Sequence, residues 1–143
     1  NLTLNQALDN FELKTLNKSL DINDFDISFA KGLSLEDGCA TITKFSASLI
    51  SQGINKLNNL KSVKNLICGG GRKNKSLINF INENLYKKNE LNKIDDYGFE
   101  GDFIESQAFA YLSIRTFLNL PISFPSTTRC KNPTNGGKIN KNF

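Results

Sequence analysis

The stretch Leu66-Ile67-Cys68-Gly69-Gly70-Gly71-Arg72-Lys73-Asn74-Lys75-Ser76 decides the fold. Upstream of the glycines, Val63 to Cys68 reads as a short buried strand. Downstream, Leu77, Ile78, Ile81 and Leu85 recur at helical spacing within Lys75 to Lys88, and Asn74 stands where a helix cap belongs. Strand, glycine turn and helix in that order predict an α/β unit. Glycines at such a junction let backbone approach a ligand closely, and the free N–H groups of the helix start favour a phosphate or another polar group. Two phosphate-binding templates come close. A Walker A loop requires glycine before Lys75-Ser76, where Asn74 stands. A dinucleotide fingerprint requires a glycine at its sixth position and meets Asn74 again, although Asp95 follows at a suitable distance for a ribose contact. A tight turn without a ligand remains the third reading.

Working outward, Ser34-Leu35-Glu36-Asp37 reads as a helix entry with Ser34 as cap and acids in the first turn. Leu35, Cys39, Ile42, Phe45, Leu49 and Leu57 then form an apolar stripe, widened by Ile50 and Ile54. The first thirty residues are the least regular: Leu13, Leu16 and Leu20 fit one helical face, but Asp21-Ile22-Asn23-Asp24 has turn chemistry. On the carboxyl side, a short strand over Lys93-Ile94-Asp95 is expected. A helix from Asp102, spanning Phe103 to Leu118, then follows Gly98 to Gly101. Phe103, Ile104, Phe109, Tyr111, Leu112, Ile114 and Phe117 cover most of its circumference, which predicts burial between other elements. Asp102 and Glu105 have the spacing of a capping box; the same carboxylates could instead accept hydrogen bonds from sugar hydroxyls. Arg115, in that apolar helix, suits a structural ion pair or a domain contact better than catalysis. Pro121 and Pro125 end the helix, and Ser126-Thr127-Thr128 places hydroxyls in a loop.

Composition narrows the function classes. The 143 residues are enough for one domain, with 38% hydrophobic and 22% charged residues, which argues against disorder. The longest apolar runs are far shorter than the roughly 20 residues that cross a bilayer. There is no histidine, so Ser-His and Cys-His nucleophile arrangements are excluded within the chain. Cys39, Cys68 and Cys130 are odd in number, widely spaced and lack metal-ligand spacing, so a reducing cytoplasm is the simplest setting and no metal site is expected. The net charge of +4 comes from 18 Lys and Arg, only 3 of them Arg, scattered among many Asn and Ile; this is composition bias, and neither nucleic acid nor membrane is expected as a partner. No methionine occurs and Asn1 comes first, so the chain is expected to be processed or part of something longer.

Five ordered groups of residues carry a resemblance. They are Lys18-Ser19-Leu20-Asp21-Ile22-Asn23-Asp24-Phe25; Gly32-Leu33-Ser34-Leu35-Glu36-Asp37-Gly38 with Ala40-Thr41; Cys68-Gly69-Gly70-Gly71 with Asn74; Gly101-Asp102-Phe103-Ile104-Glu105 with Gln107 to Leu112; and Leu120-Pro121 to Thr128 with Gly136-Gly137. Together they resemble the anhydro-N-acetylmuramic acid kinases, peptidoglycan-recycling enzymes of the actin and sugar-kinase superfamily. The resemblance covers about residues 18 to 143 and only the C-terminal portion of that family. It implies an α/β fold bordering on α+β, the C-terminal lobe of an actin-like, ribonuclease-H-like sugar kinase, with a short central sheet packed with helices. Residues 1–32 would be an irregular segment joining from an N-terminal lobe, and residues 33–143 the nucleotide- and sugar-binding lobe.

The resemblance further implies that Gly69, Gly70, Gly71 and Asn74 face the adenosine side of ATP and that Glu105 contacts the anhydro sugar. The general-base aspartate and the phosphate loop are expected outside this chain, so the isolated chain is expected to be inactive. The implied reaction uses ATP and Mg2+: water attacks the anomeric carbon of 1,6-anhydro-N-acetylmuramic acid while O6 takes the γ-phosphoryl group. A cytoplasmic setting follows, and a homodimer is compatible with the family. Three departures stand out: Leu16-Asn17 where the family often has two prolines, Glu100 where Asp is common, and Arg129 where Gly commonly follows the Ser-Thr-Thr run. Two rivals remain, a non-catalytic actin-like binding module and a dinucleotide-binding domain with a parallel sheet of several strands.

Overall fold

The computed structural model describes residues 2–12, 21–57 and 63–140. Along the chain run α1 (Leu2–Glu12), α2 (Leu35–Leu57), β1 (Val63–Ile67), α3 (Lys75–Asn84), β2 (Asn89–Lys93), α4 (Ile104–Phe117) and the single turn α5 (Pro125–Thr128). β1 and β2 pair in parallel, Val63 opposite Asn89 and Ile67 opposite Lys93. Parallel strands need a crossover, and α3 supplies it, so the quoted stretch is the first half of a β-α-β unit. Mixed helix and a small parallel sheet agree with the expected α/β class; among the described residues the sheet has two strands.

Several expectations need correction. The N-terminal segment is more regular than expected, since Leu2–Glu12 is helical; Leu13, Leu16 and Leu20 lie outside the described residues. α3 stops at Asn84 instead of Lys88 because the next polar groups are claimed from elsewhere. The Asn84 carboxamide turns back to the Phe80 carbonyl, and the Tyr86 N–H donates to Asn55 Oδ1 at 3.0 Å. The second strand lies at Asn89–Lys93, four residues ahead of Lys93-Ile94-Asp95, and Ile94–Tyr97 forms a 3-10 turn. β1 is not buried: Val63 and Leu66 are exposed, as befits a narrow sheet.

The core also runs along a different face of α2. Ser34 caps this helix as expected, its Oγ accepting the Asp37 N–H at 3.1 Å. Of the apolar stripe only Phe45 is fully buried, while Leu35 and Leu57 are exposed. The enclosed positions are Thr41, Phe45, Ala47, Ser48, Ser51 and Asn55, a face of small residues against which α3 packs and Ile81 is completely enclosed. Small side chains let two helices approach closely, and their hydroxyls are satisfied within the helix, Ser48 by the Lys44 carbonyl and Ser51 by that of Ala47. Phe11 of α1 stacks on Phe25 and meets Phe45 edge-on, tying α1 to α2.

α4 is the largest departure. None of its residues is buried, and Phe109 and Phe117 are 62% and 74% exposed. Its carboxyl end is tied down: Arg115 donates to the Pro121 carbonyl at 2.6 Å and lies over the Tyr111 and Phe124 rings, and Thr116 Oγ1 bonds the Gly136 carbonyl. Arg115 is thus structural, though its partners are a carbonyl, the Tyr111 hydroxyl and rings instead of an acid.

Asn55 is the polar keystone between α2 and the turn before β2. It donates to the Asn84 carbonyl and accepts from the Tyr86 N–H and from Asn89 Nδ2. Asn55→Ala strands these groups and should lower stability by about 1–3 kcal/mol, read as a lower urea midpoint at unchanged slope.

Candidate functional site

Both parallel strands end on the same side. β1 leads into Gly69 and β2 into the turn Ile94–Tyr97 and the loop Gly98–Asp102. In open α/β sheets, ligands bind outside the carboxyl ends of the strands. Gly69 has φ 75° and ψ −179°, a conformation that a side chain strongly disfavours, and space beyond Gly69 and Gly70 is open. The chain then makes a 3-10 turn over Gly70–Lys73 before Asn74 caps α3, its Oδ1 accepting the Leu77 N–H at 3.1 Å. The glycine turn and the start of α4 are neighbours: the Gly69 N–H donates to the Gly101 carbonyl at 2.9 Å.

Arg72 joins them more firmly. Its guanidinium is 7% exposed and forks onto Asp95, Nε to Oδ2 at 2.7 Å and Nη2 to Oδ1 at 2.9 Å. Nη1 reaches the Gly69 carbonyl at 2.9 Å and Asp102 Oδ1 at 2.6 Å. Lys73 Nζ takes the other Asp102 oxygen at 2.6 Å. Gly101 is buried against this cluster, and a Cβ there would stand 2.7 Å from Arg72 Cζ and 2.8 Å from Asp95 Oδ2. Two carboxylates meet two cations, so the cluster's formal charge cancels.

The carboxylates respond accordingly. The Arg72 hydrogen bond, aided by the Gly101 N–H, holds Asp95 down to about 2 against an opposing desolvation. Asp102 is held well below the usual carboxylate range, first by Arg72 and then by Lys73. Arg72 is pushed up by its bonds to Asp95 and Asp102.

These bonds correct the capping-box reading. α4 begins after Phe103 with no side-chain cap, because the Asp102 carboxylate is engaged by Arg72 and Lys73. Two bonds from cations outweigh the one bond from a neutral backbone N–H that a cap would make. Glu105, in the first turn of α4, is exposed and makes no hydrogen bond or ion pair among the described residues. Of the expected site residues, Gly69 to Gly71 and Asn74 lie together beside the loop that leads to Glu105. Asp95 is held by Arg72, which leaves it ill placed for the ribose contact of a dinucleotide domain; among the described residues the sheet also lacks that fold's further strands. Arg72 is the participant that motif reading passed over, and its signal was composition: an arginine in a lysine-biased chain.

Elsewhere, a cavity of about 510 Å³ lies between α1, the segment Asp24–Phe29 and α2. None of the expected site residues lines it, and its acids serve local turns, Asp24 accepting the Asp21 N–H and Asp26 that of Ser28. No described group of three or more His, Cys, Asp or Glu side chains could hold a metal ion. No described helix is long and apolar enough to cross a membrane. Arg129, at the position where glycine is expected, has φ 57° and ψ 22°, a left-handed backbone, and closes α5 with a bond to the Pro125 carbonyl.

Comparison with known proteins gives a consistent result. Residues 7–142 match the family described as anhydro-N-acetylmuramic acid kinase. The chain is 52% identical over 145 residues to a protein of that name from Pelagibacter ubique, covering 98% of this chain and 39% of the relative. It is 39% identical over 122 residues to one from Zymomonas mobilis, covering 85% of the chain and 33% of the relative, and 38% identical to one from Jannaschia sp.. The chain therefore spans from about a third to about two-fifths of the length of these relatives.

The cluster sets an acid limit on stability. A carboxylate whose folded pKa lies below its unfolded value contributes stability above the unfolded value and loses it as pH falls. For Asp95 that loss runs from about pH 4 down to about pH 2. Arg72→Gln should flatten the fall in denaturation midpoint across this window. Gly101→Ala, which displaces the guanidinium, should flatten it likewise, whereas Gly70→Ala, facing open space, should leave it intact.

Proposed function

This chain belongs to the anhydro-N-acetylmuramic acid kinase family, and on that premise we propose that it is the nucleotide- and sugar-contacting portion of such a kinase. The single observation that carries the reading is the placement of the glycine turn beside the loop leading into α4, both at the carboxyl ends of the parallel strands. On this reading Gly69, Gly70 and Gly71 offer backbone to the adenosine side of ATP. Asn74, whose Oδ1 is used by the cap, keeps its amide donors for the nucleotide. Glu105 accepts hydrogen bonds from the hydroxyls of 1,6-anhydro-N-acetylmuramic acid, as an exposed and unengaged carboxylate can.

The reaction adds water to the anomeric carbon, breaks its bond to O6, and transfers the γ-phosphoryl group of ATP to O6, giving N-acetylmuramic acid 6-phosphate and ADP. Deprotonation of the water falls to a base outside this chain. Mg2+ neutralises phosphate charge in such transfers. The acids nearest the glycine turn, Asp95 and Asp102, are already engaged with Arg72 and Lys73, so the described residues do not fit a metal site. This chain's contribution is to position two ligands, which in phosphoryl transfer is a large share of catalysis.

The exposed face of α4 fits the same reading. Phe109 and Phe117 would each gain roughly 1.5–3 kcal/mol on being covered, and in a two-lobed kinase the remainder of the protein supplies that cover. Three free thiols accord with a cytoplasmic setting.

The complete product of the gene encoding this chain should phosphorylate the anhydro sugar with ATP and Mg2+, whereas residues 1–143 alone should show no turnover. Absence of sugar-dependent ADP release from the complete product would refute the assignment. In the complete enzyme, Glu105→Gln should raise KM for the sugar at least tenfold and leave KM for ATP within about threefold.

A further inference from the structure

We propose that Arg72 is a positioning residue that fixes the separation between the nucleotide-side glycine turn and the sugar-side start of α4, and that it is not a phosphate ligand. The proposal rests on the kinase reading above and goes beyond it. An Arg-Lys pair directly after a glycine turn at the foot of a helix invites assignment to phosphate. The geometry points elsewhere.

Four of the five N–H groups of a guanidinium are engaged here by protein acceptors: two on Asp95, one on Asp102 and one on the Gly69 carbonyl. Lys73 is drawn to the outer oxygen of Asp102. With Asp95 and Asp102 opposite Arg72 and Lys73, little net charge is left for an incoming anion.

What the cluster does is mechanical. Gly69 is bound twice from Arg72, by the side chain through its carbonyl and by the Arg72 N–H at 3.3 Å. Asp95 stands in the turn that follows β2, and Asp102 lies three residues before Glu105. One planar side chain therefore links the turn after β1, the turn after β2 and the entry to α4. Lysine could meet one of these demands at a time, but not the fork. Because Gly101 has no side chain, the guanidinium lies directly against its backbone, which brings the sugar-side loop as close as possible to the nucleotide-side turn.

A residue that fixes the relative placement of two subsites has a kinetic signature different from that of a ligand. Each subsite keeps its own contacts, so each substrate still binds. Transfer suffers, because an error of about 1 Å between reacting groups costs on the order of 100-fold. The experiment compares Arg72→Lys with wild type in the complete gene product, at a temperature well below the melting point of both. The expected result is kcat lowered about 100-fold with KM for ATP and KM for the sugar each within about threefold. Asp95→Asn, which keeps the shape and removes one charge, is expected to lower kcat in the same manner by a smaller factor, and it serves if Arg72→Lys does not fold.

A rise of tenfold or more in KM for ATP with kcat retained would make Arg72 a phosphate ligand and overturn the proposal. So would wild-type kcat in a folded but less stable variant, which would make the cluster a fold determinant only. An inactive wild type would instead overturn the kinase reading, and the positioning role with it; an active wild type with either contrary result sinks the positioning role alone.

Discussion

The guanidinium of Arg72 is the constraint on which the rest of this structure depends. A buried cation is tolerable only when its hydrogen bonds are met and its charge is matched. Here the matching groups come from three separate segments, so satisfying one side chain assembles the carboxyl ends of both strands. The alternative, a hydrophobic residue at that position, would face two carboxylates and a glycine carbonyl with nothing to offer them. Hence the turn after β1, the turn before Gly98 and the first residues of α4 cannot shift independently.

The local code was readable where one segment sufficed. Asn74 caps α3 and Ser34 caps α2 as their positions predict, and the triple glycine does end a strand and open a helix. Asp21 and Asp24 close the short turn that interrupts the N-terminal pattern. Readings failed where a distant partner decided. Asp102 has the spacing of a helix cap and would serve as one in isolation, yet a cation thirty residues earlier claims it. Asn55 ends α3 from another helix, and nothing near Asn84 announces this. The apolar stripe of α2 misled for a related reason: hydrophobicity marks what can be buried, whereas close helix packing chose the serines and Ala47 on the neighbouring face.

The arginines offer a compact lesson about biased sequences. In a chain with so many lysines, two of the three arginines stand where planar, multidentate geometry is used. Arg72 forks onto Asp95, and Arg115 bonds a carbonyl while lying over two rings. Arg129 holds a left-handed backbone that costs about 1–2 kcal/mol outside glycine. A non-glycine residue adopts this shape where the Phe124 and Pro125 carbonyls collect the N–H groups of Thr127, Thr128 and Arg129 and so hold the loop's path.

The two-stranded sheet carries one more implication, for handling the molecule. Among the described residues the sheet is a pair of strands with no interior member, so each has an outer row of amide and carbonyl groups that no described strand pairs, a template for pairing with another strand. Lys64 and Lys93 place charge on these strands, and Asn65 fastens across the pair to the Glu90 carbonyl. Charge of this kind discourages edge-to-edge pairing of copies, and added salt weakens that protection by screening it.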